Sequence, residues 1–130
     1  MNIILDTNVL VSALLNPHGN PAKILNMIIN NTVILLYDNR ILDEYRNVLG
    51  RDKFGFDEEI IEPLIDYIES EGIFITPDPV KEILIDDNDR MFVEVLLSGK
   101  ADYLITGNKK HFKNIVNVID PKEFLEIIEK

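Results

Sequence analysis

Asn2-Ile3-Ile4-Leu5-Asp6-Thr7-Asn8-Val9-Leu10-Val11-Ser12-Ala13-Leu14-Leu15 opens the chain and carries the plan of the fold. A short apolar run ends at a carboxylate, and Val9, Leu10, Ala13 and Leu14 then recur at helical spacing. This is a strand running straight into a helix with Asp6 at the junction. Further along, the apolar run 33–37 predicts a second strand, and its unbroken hydrophobicity predicts burial on both faces. Asp38 or Asn39 caps a helix to about Leu49, stopped by Gly50. Residues 73–75 predict a third strand, 103–106 a fourth and 114–119 a fifth. The remaining helices are expected at 22–30 behind Pro21, at 57–71 before Gly72, at 88–98 before Gly99 and at 121–129. Pro63 fits its helix only near the first turn or at a kink. Residues 76–87 read as a polar loop with Pro77 and Pro79, broken by an apolar patch at 82–85. Strands alternating with helices along one chain predict an α/β domain over residues 1–130. Its three layers enclose a central, mainly parallel sheet of about five strands. In such sheets ligands bind beyond the carboxyl ends of the strands, at the topological switch point.

The chain has 130 residues, 46% of them apolar, which suffices for one packed core. It contains no Cys, so disulfides, thiolate metal sites and cysteine nucleophiles are excluded. No basic, hydrophobic leader opens it and no apolar run approaches a bilayer span, so a cytoplasmic protein is expected. The formal net charge is −10. That disfavours nucleic-acid binding by the bulk surface. It leaves room for a carboxylate site whose cations invert the local field.

Three carboxylates stand where chemistry is expected. Asp6 follows the first strand, Glu44 flanks the apolar stripe of the third helix, and Asp89 shares a helix face with Phe92, Val93 and Leu96. A carboxylate on a core-facing stripe must be paired, hydrogen-bonded or bound to metal. Each also has an ordinary reading: Asp6 as a helix N-cap, Asp89 as a charge favoured by the helix dipole, Glu44 as a solvated side chain. Asn108 follows the fourth strand as Asp6 follows the first. His18 lies in a Pro/Gly loop and reads as structural or solvent-exposed. No phosphate-cradling glycine loop and no Ser/His/Asp set is present.

Ile4-Leu5-Asp6-Thr7-Asn8-Val9-Leu10-Val11-Ser12-Ala13 resembles the opening motif of PIN-domain nucleases. Ile41-Leu42-Asp43-Glu44-Tyr45 resembles their second motif and Asp89-Arg90-Met91-Phe92-Val93 their third. Ala101-Asp102-Tyr103-Leu104-Ile105-Thr106-Gly107-Asn108 resembles their fourth, a strand ending in Thr-x-Asp. The matches span residues 3 to 112 in the family's order. The form Thr-Gly-Asn-Lys-Lys-His-Phe looks like the bacterial and archaeal branch regarded as toxins of toxin–antitoxin pairs.

The resemblance implies an endoribonuclease that uses Mg²⁺ or Mn²⁺ to activate water against single-stranded RNA. It implies Asp6, Glu44 and Asp89 as metal ligands and, with Asn108, as the catalytic set. Thr7, Asn8 and Thr106 would orient them. Lys109 and Lys110, with His111 beside them, would bind flanking phosphates, and Arg40, Arg46, Arg51 and Lys53 would form a second basic patch. An antitoxin protein and a second copy of the chain are the implied partners, with the apolar segment 24–29 as interface or core. Asn108 departs from the pattern, since many members carry Asp there. An amide brings no charge, so one ion is expected rather than two, with Asp102 or Asp87 as weak substitutes. Two rivals stand beside this reading. One is a PIN fold kept only for binding RNA or protein. The other is a haloacid-dehalogenase-type phosphatase, whose Asp-x-Asp-x-Thr motif the run Asp6-Thr7-Asn8-Val9 fails to complete.

Overall fold

The computed structural model describes residues 1–81 and 86–129. The apolar patch expected at 82–85 lies outside the described residues. In chain order the elements are β1 (Asn2–Leu5), α1 (Thr7–Leu15), α2 (Asn20–Ile29), β2 (Ile34–Tyr37), α3 (Asn39–Leu49), α4 (Glu58–Glu71), β3 (Ile73–Phe74), α5 (Asp87–Ser98), β4 (Tyr103–Ile105), β5 (Val118–Ile119) and α6 (Pro121–Ile128). Short 3₁₀ turns follow α3 at Asp52–Phe54 and β4 at Lys109–Phe112, neither of which the periodicity signalled.

The five strands are parallel and ordered β3-β2-β1-β4-β5. The chain moves outward from β1 through β2 to β3, then crosses back through α5 to β4 on the far side of β1. Right-handed crossovers in opposite directions put their helices on opposite faces. Ile3, Ile4 and Leu5 alternate between the faces of β1, and all three are fully buried, so both faces are covered. α5 packs on β1, β2 and β4, while α1 packs against α2 and α3. The order reverses between β1 and β4, which makes the carboxyl ends of these two strands the switch point.

Several details differ from the sequence expectation. β5 shrinks to two residues because Asn114 and Asn117 take left-handed backbone angles, φ 70° and 64°, which no strand accommodates. Pro63 sits beyond the first turn of α4 and the helix runs on through it. The carbonyl it leaves without a helical donor belongs to Glu59, an exposed residue. Of the segment 24–29, Ile24, Leu25 and Ile28 are core, whereas Ile29 is exposed and borders an apolar groove with Leu14, Leu25, Ile60, Pro63, Leu64 and Tyr67.

The glycines behind α3, α4 and α5 all have negative φ, so left-handed caps do not explain them. Gly72 is there for close approach. A Cβ would stand 2.6 Å from the Ile68 carbonyl oxygen and 2.7 Å from that of Leu35, both backbone atoms. Gly72→Ala is expected to lower stability by about 1–3 kcal/mol, read as a shift in the urea midpoint at constant slope.

Candidate functional site

β1 and β4 run side by side, with Leu5 opposite Ile105, so the residues that follow them emerge together. Asp6 leaves β1 at the position preceding α1, yet its side chain makes no capping bond there. Oδ2 instead accepts a hydrogen bond from Thr106 Oγ1 at 2.7 Å, across the switch point. Thr106 is fully buried and Asp6 nearly so. The same Thr106 hydroxyl accepts from the Asn108 backbone N–H at 3.0 Å, which turns the chain as it leaves β4. Tyr45, fully buried on α3, donates its hydroxyl to the Leu5 carbonyl at 2.6 Å and locks the helix against the end of β1. Burial first, then the charges of Asp6 and Glu44, push the Tyr45 phenol well above its ordinary value, so it stays a donor.

One residue before Tyr45, Glu44 points toward the same place, and its Oε2 accepts from Thr7 Oγ1 at 2.8 Å. Asp89 arrives on the first turn of α5, which Asp86 caps through the Asn88 N–H. Asp6, Thr7, Asn8, Glu44, Asp86 and Asp89 all line one cleft of about 240 Å³, closed by Val48, Arg51, Asn88 and His111. Burial and the charge of Asp6 raise the Asp89 carboxyl above its ordinary value, with Asp86 and Glu44 adding to the rise and His111 opposing it. The carboxylates therefore feel each other across the cleft. Among the described residues, no three acidic or imidazole groups stand close enough to clasp an ion by themselves.

The remaining expected residues are placed differently. Thr7 serves Glu44, and it is Thr106 that holds Asp6. Asn108 does not line the cleft; its amide nitrogen lies 2.9 Å from His111 Nε2, and His111 Nδ1 lies 3.3 Å from Asp89 Oδ2. The Lys109 ammonium is turned to Glu123 at 2.6 Å and Asp120 at 3.7 Å. Lys110 does not line the cleft either. Arg40 is taken up by Asp38 and Glu94, each at 2.7 Å, and Arg46 lies beside Asp43 and Glu62, so only Arg51 of that patch faces the cleft. Asp102 precedes β4 and accepts from the Asn2 N–H at the opposite end of the sheet. Asp87 is exposed and pairs with Arg90. Asp86 and Asn88 line the cleft without having been named as site residues, and His111, expected beside the phosphate-binding lysines, lies against Asp89. The signal for Asp86 was its place as the cap before α5.

This is a doubly wound α/β protein with an acidic cleft at its switch point. The chain belongs to the PIN domain family, whose sequence profile matches residues 2–110. An uncharacterized protein of Methanocaldococcus jannaschii is 32% identical over an alignment covering all of this chain and 93% of that protein. Two solved structures share the fold at 21% identity. VapBC-1 from nontypeable Haemophilus influenzae superposes with a TM-score of 0.60, covering 94% of this chain and 99% of that one. VapBC2 from Rickettsia felis, solved bound to a DNA fragment from their promoter, gives 0.57 over 92% and 96%.

Two outcomes follow from these contacts. Thr106→Val is expected to cost about 1–3 kcal/mol in chemical denaturation, because a buried carboxylate oxygen loses its donor. Glu94 supplies a pH test. Burial pushes its carboxyl up, but the Val80 N–H and the Arg40 guanidinium hold it below its ordinary 4.5. A lowered folded value means that its stabilisation is complete above pH 4.5 and is lost as pH falls through the folded value. The stability gap between wild type and Glu94→Gln should thus narrow below pH 4.5 in urea titrations at stepped pH.

Proposed function

We propose that this protein is a divalent-cation-dependent endoribonuclease cleaving single-stranded RNA, and that it is the toxin of a toxin–antitoxin pair. The observation that carries the reading is the convergence of Asp6, Glu44 and Asp89, from three separate elements, on one cleft at the switch point. Their hard oxygen donors suit Mg²⁺ or Mn²⁺. A loose set also suits Mg²⁺, which is usually held by one or two carboxylates with water completing its shell.

Asp6 and Asp89 are the residues that would hold the cation directly, with Glu44 direct or through water. When bound, the cation lowers the pKa of water and neutralises charge developing on the phosphodiester. The protein's own work is positioning. Thr106 keeps Asp6 in one rotamer, Thr7 does the same for Glu44, and Tyr45 fixes the end of β1 beneath both. Arg51 makes no ion pair among the described residues and lines the cleft, so it is the side chain placed to take a phosphate beside the scissile bond. The acidic remainder of the surface repels RNA that does not enter there. An antitoxin and a second copy of the chain come with the resemblance as partners. The groove bordered by exposed Ile29 and Ile60 is a surface that either would cover.

Purified protein incubated with assorted single-stranded RNAs and Mg²⁺ or Mn²⁺ should cleave, and chelation should abolish cleavage. Asp6→Asn and Asp89→Asn should each lower the rate by at least about 100-fold, since loss of a partner one shell out already costs 10–100-fold. Arg51→Ala should raise KM for RNA about tenfold, as the loss of a charged hydrogen bond would. Absence of cleavage by wild type with either ion would turn the reading to a PIN fold that binds RNA or protein without cutting it.

A further inference from the structure

Asn108 looks like a defect in the acidic set, but its contacts give it a different task. His111 stands between Asn108 and Asp89, with Nε2 2.9 Å from the amide nitrogen and Nδ1 3.3 Å from the carboxylate. A carboxylate accepts, so a proton on the ring nitrogen facing Asp89 makes that contact a hydrogen bond. A neutral imidazole then has a lone pair on Nε2, which accepts a hydrogen bond from a donor placed against it. An amide N–H supplies one. An aspartate at 108 only accepts, and it would suit the ring only in its doubly protonated form. The Asn108 backbone N–H is separately committed to Thr106, so its side-chain amide is the part that faces the ring.

We propose that Asn108 is no cation ligand, and that it sets the Nδ1–H tautomer of His111, which is a positioning residue for Asp89. The relay runs from the amide through the ring to Asp89 Oδ2, the atom nearest the ring. The 3₁₀ turn Lys109–Phe112 sets the half-exposed His111 at the cleft wall, while Lys109 turns to Glu123. The relay rests on the nuclease reading only for what Asp89 does, and the first measurement is independent of that reading.

That measurement is the ¹⁵N spectrum of the His111 ring at pH 8, without any metal. Wild type should give a protonated-type Nδ1 and an unprotonated-type Nε2, and Asn108→Leu should lose that preference. An Nε2–H ring in wild type, or a tautomer indifferent to Asn108, overturns the proposal. The second is Mn²⁺ binding followed by electron paramagnetic resonance. His111→Ala should weaken it about tenfold, the lower end of what an orienting partner contributes. Asn108→Leu should cost no more than that, and it should add nothing in the His111→Ala background, because it acts only through the ring. His111→Gln, which keeps an N–H donor, should recover part of the loss, whereas His111→Phe should not. A further loss from Asn108→Leu in the absence of His111 would make the amide a ligand and overturn the relay. The expected tautomer together with no Mn²⁺ binding by wild type would sink the nuclease reading and leave the relay standing.

Discussion

The hydrogen bond from Thr106 to Asp6 is the constraint on which the site depends. Both groups are buried, and a carboxylate in that position is tolerable only with a donor aimed at it. The bond ties the residue after β1 to the residue after β4, the two strands between which the sheet reverses its order. It therefore joins the two halves of the fold at their seam. Tyr45 adds a second tie from α3 to the last carbonyl of β1. Through it, the packing that seats α3 also sets where Glu44 arrives. A single layer of polar contacts thus converts a well-packed apolar sheet into a platform with carboxylates in defined positions.

Charge is distributed with the same economy. The chain carries a net charge of −10, and Arg40, Arg46 and Lys109 are each already held by acids. Arg40 bridges Asp38 and Glu94 and thereby joins the start of α3 to α5, while Glu94 also receives the Val80 N–H. Lys109 is held by the acidic start of α6. Arg51 and His111 are the basic side chains among the cleft's lining residues. An acidic cleft with one guanidinium at its wall favours a cation first and a phosphate beside it.

Much of this was legible without coordinates, for identifiable reasons. Strand and helix periods, the cap at Asp38 and the glycine stops located nearly every element, because these signals are local. Asp6, Glu44 and Asp89 could be singled out because each is a carboxylate beside apolar positions, and the family motifs ordered them. The misses were also physical. Asn114 and Asn117 look strand-compatible in a run of β-branched residues, and only their left-handed angles end the strand. Pro63 lies past the first turn of α4, and Glu59, whose carbonyl it leaves without a helical donor, is exposed. Of the basic patch inferred from Arg40, Arg46, Arg51 and Lys53, Arg40 and Arg46 pair with acids that spacing cannot foresee, Lys53 lies over Phe54, and Arg51 lines the cleft.

What the sequence determined by itself is the alternation that yields a parallel sheet, the apolar residues that bury it, and the carboxylates that fall at the ends of its elements. These follow from period and composition, which are properties of neighbours along the chain. What only the tertiary structure decided is pairing: Thr106 with Asp6 and Thr7 with Glu44, Asn108 with His111 rather than with the acidic set, Arg40 and Lys109 with acids rather than with the cleft. Hydrogen bonds and ion pairs act over about 3 Å between groups that may be a hundred residues apart. Their partners are chosen by the crossovers of the sheet and carry no local signature.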